Sequence, residues 1–174
     1  MLLLASCAAL AWNAPTAARA TALAPETGVR QRAEAVERLE QWLWPVPAPI
    51  RIVSPFRAPP TPYTSGHRGI DVVARQGDEI IAPAAGVVSF AGRVVDRGVV
   101  AIDHGGGVVS AIEPVDALVA EGEVVVAGDP IGVVASGGHC AAVCAHFGVR
   151  IDGVYVSPFL FLGGLPRAVL LPLR

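Results

Sequence analysis

A chain of 174 residues, 53% hydrophobic and 16% charged, has the length of one compact domain with some extra and a composition rich in buried strand rather than long disorder. Its formal net charge of −2 provides no basic face, which excludes nucleic acid as a partner class. All 13 basic residues are arginine, so any function that needs a lysine for covalent attachment is excluded as well.

The first residues, MLLLASCAALAWNAPTAARATALA, join an apolar run from Leu2 to Trp12 to small residues ending at Ala20. This predicts a secretory signal over residues 1–20, since the run is shorter than the about 20 apolar residues that cross a bilayer. The same stretch admits a lipobox, LASC, that would place a lipid anchor on Cys7, and an apolar helix that stays attached. Export would make the protein extracytoplasmic, in the cell envelope. Loss of the leader would leave Cys140 and Cys144 as an even pair in an oxidising compartment. Val29, Ala33, Val36, Leu39 and Leu43 recur at steps of three and four, which predicts a helix over 25–44 with Thr27 as its cap. The prolines of PVPAPI make 45–49 a stiff linker, and 163–174 is read as a tail.

From Ile50 onward, short runs rich in valine and isoleucine are separated by glycine, among them GIDVVA, DEIIAPA, GVVAIDHG, EVVVAG and HFGVRI. Strands at this spacing leave no room for crossover helices. They predict an all-β fold over 50–162, an antiparallel sheet closed into a sandwich or barrel. GDEIIAPAAGVV from Gly77 and GEVVVAGDPIGVV from Gly122 share one pattern, which reads as a duplicated hairpin. Paired strands of this kind also build biotinyl and lipoyl carrier domains, but those load a lysine that this chain lacks.

His67 stands four residues before Asp71, about 13 Å apart in a fully extended strand, and a curl at Gly69 would bring them together. Cys144 and His146 are two apart and share one face of a strand. Two imidazoles and a carboxylate, with a fourth position left for water, make an ordinary catalytic zinc site, so His67, Asp71 and His146 form a candidate set. Plainer readings stand beside it: a capping histidine, an exposed aspartate and a core histidine. His104 in DHGGG reads as a turn or cap residue, His139 as an exposed loop residue, and Glu113, before Pro114, as a surface acid.

Taken in order, GHRGIDVVA, GDEIIAPAAGVVSFAG, HGGG, EGEVVVAGDPIG, AHFGVRIDG and YVSPFLFL resemble the lysostaphin/LytM family of zinc peptidases, which cut peptide bridges in bacterial cell walls. The resemblance runs from Trp44 to about Leu162. It implies zinc held by His67, Asp71 and His146, and peptidoglycan peptides as substrate. It also marks two departures: the first histidine of the family's H-x-H falls on Cys144, and the histidine expected in the strand after HGGG falls on Pro114. In the family these imidazoles orient the attacking water and stabilise charge on the scissile carbonyl; proline can do neither. Secreted actinobacterial-type members with YEPV and CLHWG look similar here. Glu113 and His139 are the candidate substitutes. For Cys144 three states stay open: a disulfide with Cys140, which an oxidising compartment favours, a fourth thiolate ligand that closes the zinc site, and a free thiol. Two functions follow from the resemblance, a peptidoglycan endopeptidase with altered catalytic groups, and an inactive domain that binds cell-wall peptides or regulates another cell-wall hydrolase.

Overall fold

The structure, a computed structural model, describes residues 41–61 and 64–162. Its strands in chain order are β1 (Ile52–Ser54), β2 (Ile70–Val73), β3 (Glu79–Ile81), β4 (Gly86–Val94), β5 (Arg97–Asp103), β6 (Val108–Glu113), β7 (Val115–Ala117), β8 (Val124–Val125), β9 (Pro130–Val134), β10 (Cys144–Ile151) and β11 (Val154–Val156), followed by one short helix, α1 (Phe159–Leu162). The larger sheet has the order β1-β2-β10-β6-β5-β4-β8, with β11 also on β10; the smaller is β3-β9-β7. Every pairing is antiparallel, as the glycine-separated runs predict.

Period-two alternation decides what each face carries. Ile70 and Val72 of β2, and Ala145, Phe147 and Val149 of β10, are all buried and point toward the smaller sheet, where Ile80, Val115, Ile131 and Val134 meet them in one core. The residues between them, Asp71, His146 and Gly148, are therefore carried on the opposite face. A slip of one residue in either strand would bury the polar set and expose the core, so packing fixes the register. That register places His146 beside Asp71 on one side and Glu113 on the other.

The two repeated segments do not fold back as separate hairpins. β3 of the first pairs with β9 of the second, and β4 of the first pairs with β8 of the second, so the copies exchange strands. The shared glycine and acid build matching turns instead. Asp78, Glu123 and Asp129 donate their N–H groups to the carbonyls of Arg75, Ala120 and Val126, and their carboxylates accept the N–H groups of those same residues at 2.7 to 3.0 Å. The preceding residues Gly77, Gly122 and Gly128 have φ near +90°, which such a turn requires and a side chain disfavours.

Most of the helix predicted over 25–44 lies outside the described residues. Its end, 41–44, is not helical: the Trp42 and Leu43 N–H groups donate to the carbonyls of Phe161 and Pro83 at 2.9 Å. Trp42 packs on the rings of Phe161 and His104, and Pro45 and Val46 are buried near it, while residues 47–49 are exposed. The short helix of the described residues stands at the other end of the domain, as α1. The leader read over 1–20 and the tail over 163–174 fall outside the described residues.

His104 is the turn residue that DHGGG suggests. Its Nδ1–H donates to the Ala85 carbonyl at 2.8 Å, and Nε2 lies 2.8 Å from the Ser110 hydroxyl, whose O–H it can accept. Burial pushes its pKa below the ordinary 6.5, partly opposed by the Ala85 carbonyl. A histidine depressed in the folded state takes up its proton more readily unfolded, so its contribution to stability is present above 6.5 and is lost as pH falls below it. Thermal unfolding at pH 7.5 and 5.5 is therefore expected to show a smaller acid-induced drop in Tm for His104→Gln than for the unaltered chain. Equal drops would mean that His104 does not titrate differently on folding.

Candidate metal centre

Three imidazoles from three separate segments converge on one carboxylate oxygen. His67 Nε2 lies 3.0 Å from Asp71 Oδ1, His139 Nε2 3.0 Å and His146 Nδ1 2.7 Å, while His67 Nε2 and His146 Nδ1 are 3.1 Å apart. The four donor atoms all fall within 4.8 Å of one another. Asp71 is buried, and the rings of His67, His139 and His146 stand edge to face around it.

Local sequence explains the convergence. His67 is outside β2, held by a bridge to Arg57, and the chain bends at Gly69 before the strand begins, which brings His67 back over Asp71. Gly69 does not use the left-handed backbone that a curl would exploit. It is needed because a Cβ there would run into the Phe147 carbonyl and come within 2.6 Å of His146 Nε2, so the missing side chain makes room for the His146 ring. Asp71 and His146 follow directly from the β2–β10 register.

The donor set can be tested for a cation by following protons. His67 Nδ1 lies 2.8 Å from the Pro55 carbonyl oxygen. A carbonyl only accepts, so Nδ1 carries the proton and Nε2 of the neutral ring presents a lone pair. That lone pair faces the Asp71 carboxylate, two acceptors 3.0 Å apart that call for a positive charge between them. Burial lowers the His146 pKa below 6.5, only partly offset by Asp71, so this ring favours its neutral, ligating form. Burial alone would raise the Asp71 carboxyl, but hydrogen bonds and charge from His139 and His146 outweigh it and hold the pKa below 3.8. Imidazole nitrogens gathered on one carboxylate oxygen are a donor set that fits zinc.

His139 is exposed and stands between strands, as read from the sequence. Its side chain is 53% exposed, yet its tip reaches Asp71. It stands in a 3-10 turn, Gly138–Cys140, closed from behind by a Cys140–Cys144 disulfide. Both sulfurs are thereby committed, which removes the thiolate-ligand and free-thiol states of Cys144. Glu113 is no plain surface acid: it lies opposite His146, with its Oε1 3.1 Å from Arg97 Nε. Arg97 carries no sequence signal of a role, because its neighbours are assembled only by the sheet. Pro114, where the resemblance expects a histidine, is buried and lines the small recess beneath the His139 loop.

A family model described as peptidase family M23 matches residues 65–158, more than half of the 174-residue chain. The chain belongs to peptidase family M23. The uncharacterized protein Rv2891 of Mycobacterium tuberculosis is 39% identical over 129 residues, covering 71% of this chain and 52% of its own length. The murein hydrolase activator NlpD of Escherichia coli K12 is 32% identical over 128 residues, covering 71% of this chain and 32% of NlpD. The chain thus spans about half the length of Rv2891 and a smaller share of NlpD. The crystal structure of the catalytic domain of the prophage-encoded M23 protein EnpA from Enterococcus faecalis, a point mutant, superposes with a TM-score of 0.58 at 25% identity, over 71% of this chain and 98% of that one. The mostly antiparallel sheet agrees with that M23 domain. His67, Asp71, His139 and His146 all lie inside the matched residues.

Proposed function

We propose that this M23 domain is a zinc-dependent endopeptidase acting outside the cytoplasm on peptide cross-links of peptidoglycan, with His139 in place of the family imidazoles lost at Pro114 and Cys144. The observation that carries this reading is the convergence of three imidazoles on Asp71 at the mouth of a cleft of about 440 Å³. His67, Asp71 and His146 would hold the ion, each fixed by the bend at Gly69 or by strand register. When bound, zinc would supply Lewis-acid polarisation of a peptide carbonyl and a lowered pKa for attacking water. His139, the most exposed of the four, would orient a water at Nε2 and pass its proton to the leaving amine. Glu113 is the weaker candidate base, because its carboxylate is engaged by Arg97.

A regulatory reading is favoured by one feature of the same geometry. His139 Nε2 is as close to Asp71 as His67 Nε2 is, so it could complete a four-ligand shell and leave no place for water. The domain would then dock on cell-wall peptides or on another hydrolase, a role in line with the name of NlpD.

Purified peptidoglycan incubated with the zinc-loaded protein, and with protein held in a chelator, separates the two readings. The peptidase reading expects new amine termini, found by mass spectrometry, only in the metal-loaded sample. An unchanged fragment pattern in both, with cosedimentation of protein and peptidoglycan, would sink the peptidase and leave the binder.

A further inference from the structure

The outer face of the larger sheet carries a groove that leads away from the metal centre. Its floor is a row of small residues in register across three strands: Gly148 opposite Ala111, and Ala111 opposite Ala101, with Phe90 next on β4. The cleft at the centre and a second hollow of about 270 Å³ share Ala111, Glu113, Gly148 and Tyr155, so the two are continuous. An extended chain laid over this floor would run from the histidines toward Phe90.

The groove is locally basic in a chain whose net charge is −2. Arg68, Arg97 and Arg150 line it against one acid beyond the metal centre, Glu113, and Glu113 is held by Arg97. The other two arginines flank the Tyr155 ring, with guanidinium carbons 5.8 Å (Arg68) and 5.7 Å (Arg150) from its centroid. Arg68 also donates to the Thr64 carbonyl at 3.1 Å. Arg150 has the ring as its partner. Packing on an aromatic ring holds a guanidinium in place while leaving its N–H edge able to take a carboxylate in a forked pair.

Resting on the peptidase reading of the site, we propose that the groove selects acidic peptides, with Arg150, steadied by Tyr155, binding a free carboxylate of the substrate in the second hollow, four residues along β10 from His146. Arg150 is a specificity residue in this assignment and takes no part in bond cleavage.

The test uses stem peptides released from peptidoglycan, with their carboxylates intact or converted to carboxamides, and the zinc-loaded full chain. Equilibrium binding is measured by calorimetry, and hydrolysis is followed in parallel by mass spectrometry. The acid form is expected to bind roughly tenfold to a hundredfold more tightly than the carboxamide, the scale of a hydrogen-bonded charge. Arg150→Gln should remove most of that difference without changing affinity for the carboxamide, and Arg150→Lys should restore part of it. Equal affinity for the two forms, binding of neither, or an Arg150→Gln loss that is the same for both overturns the proposal. Discrimination without hydrolysis would instead fail the peptidase reading and leave the acid-selective groove standing.

Discussion

Asp71→Ala is expected to leave the purified protein folded and without zinc. Asp71 Oδ1 is the atom on which His67, His139 and His146 all converge, so on the proposed zinc reading its loss removes both a ligand and the charge that gathers the others. Outer-shell partners of a metal site typically cost about 10 to 100-fold in affinity when removed, and loss of a ligand in direct contact should exceed that. The fold should survive because the hydrophobic cluster lies on the other face of β2, built from Ile70 and Val72. Asp71→Asn is the stricter comparison, since it keeps the shape and removes the charge. Elemental analysis after gel filtration gives the stoichiometry, and circular dichroism checks the strand signal. Undiminished zinc in both variants would remove Asp71 from the ligand set. Loss of the strand signal in Asp71→Asn would mean that the carboxylate holds the fold rather than the ion.

How much of this site can be read from residues alone depends on the distance over which each piece is determined. Asp71 and His146 sit in strands whose alternation is visible in GIDVVA and HFGVRI, so their common face is legible. His67 is nearly so, because a glycine lies between it and Asp71, although Gly69 serves by lacking a Cβ rather than by adopting a left-handed backbone. The exchange of strands between the two repeats is not legible. A glycine–acid turn has the same sequence whether the next strand returns to its own partner or crosses to the other copy. The end of the predicted helix fails for a related reason: Leu43 fits a helical step from Leu39, but its neighbour Trp42 finds partners in Phe161 and His104, far along the chain. His139 is the hardest case. Its aim depends on a loop held by the Gly138 N–H donating to Asp96 Oδ2 across 42 residues, and spacing within GGHC carries no trace of that contact.

That loop sets up the second large effect, which is expected when the Cys140–Cys144 bond is removed. His139 precedes Cys140 directly, and Ala141 and Ala142 behind it have φ of 45° and 67°, a conformation alanine disfavours and the loop must hold. The disulfide ties this turn to the first residue of β10, and Asp96 tethers it from the side. Without the bond, those alanines can relax and His139 loses its place over Asp71, while His67, Asp71 and His146 remain fixed by the bend and the strands. For so short a loop the chain-entropy contribution of the disulfide is about 2 kcal/mol, too little to unfold a domain with this core. On the peptidase reading, Cys140→Ala/Cys144→Ala is therefore expected to keep its zinc and to hydrolyse peptidoglycan about 10² to 10⁴-fold more slowly, the usual contribution of a positioned proton-transfer group. His139→Ala should fall by a similar factor. Adding it to the cysteine variant should cost little more, since both changes remove one device. Full activity in the cysteine variant would show that strand register alone aims His139. Multiplying losses in the triple variant would separate the disulfide's role from the histidine's. Faster hydrolysis on freeing His139 would instead identify it as a fourth ligand that keeps water from the ion.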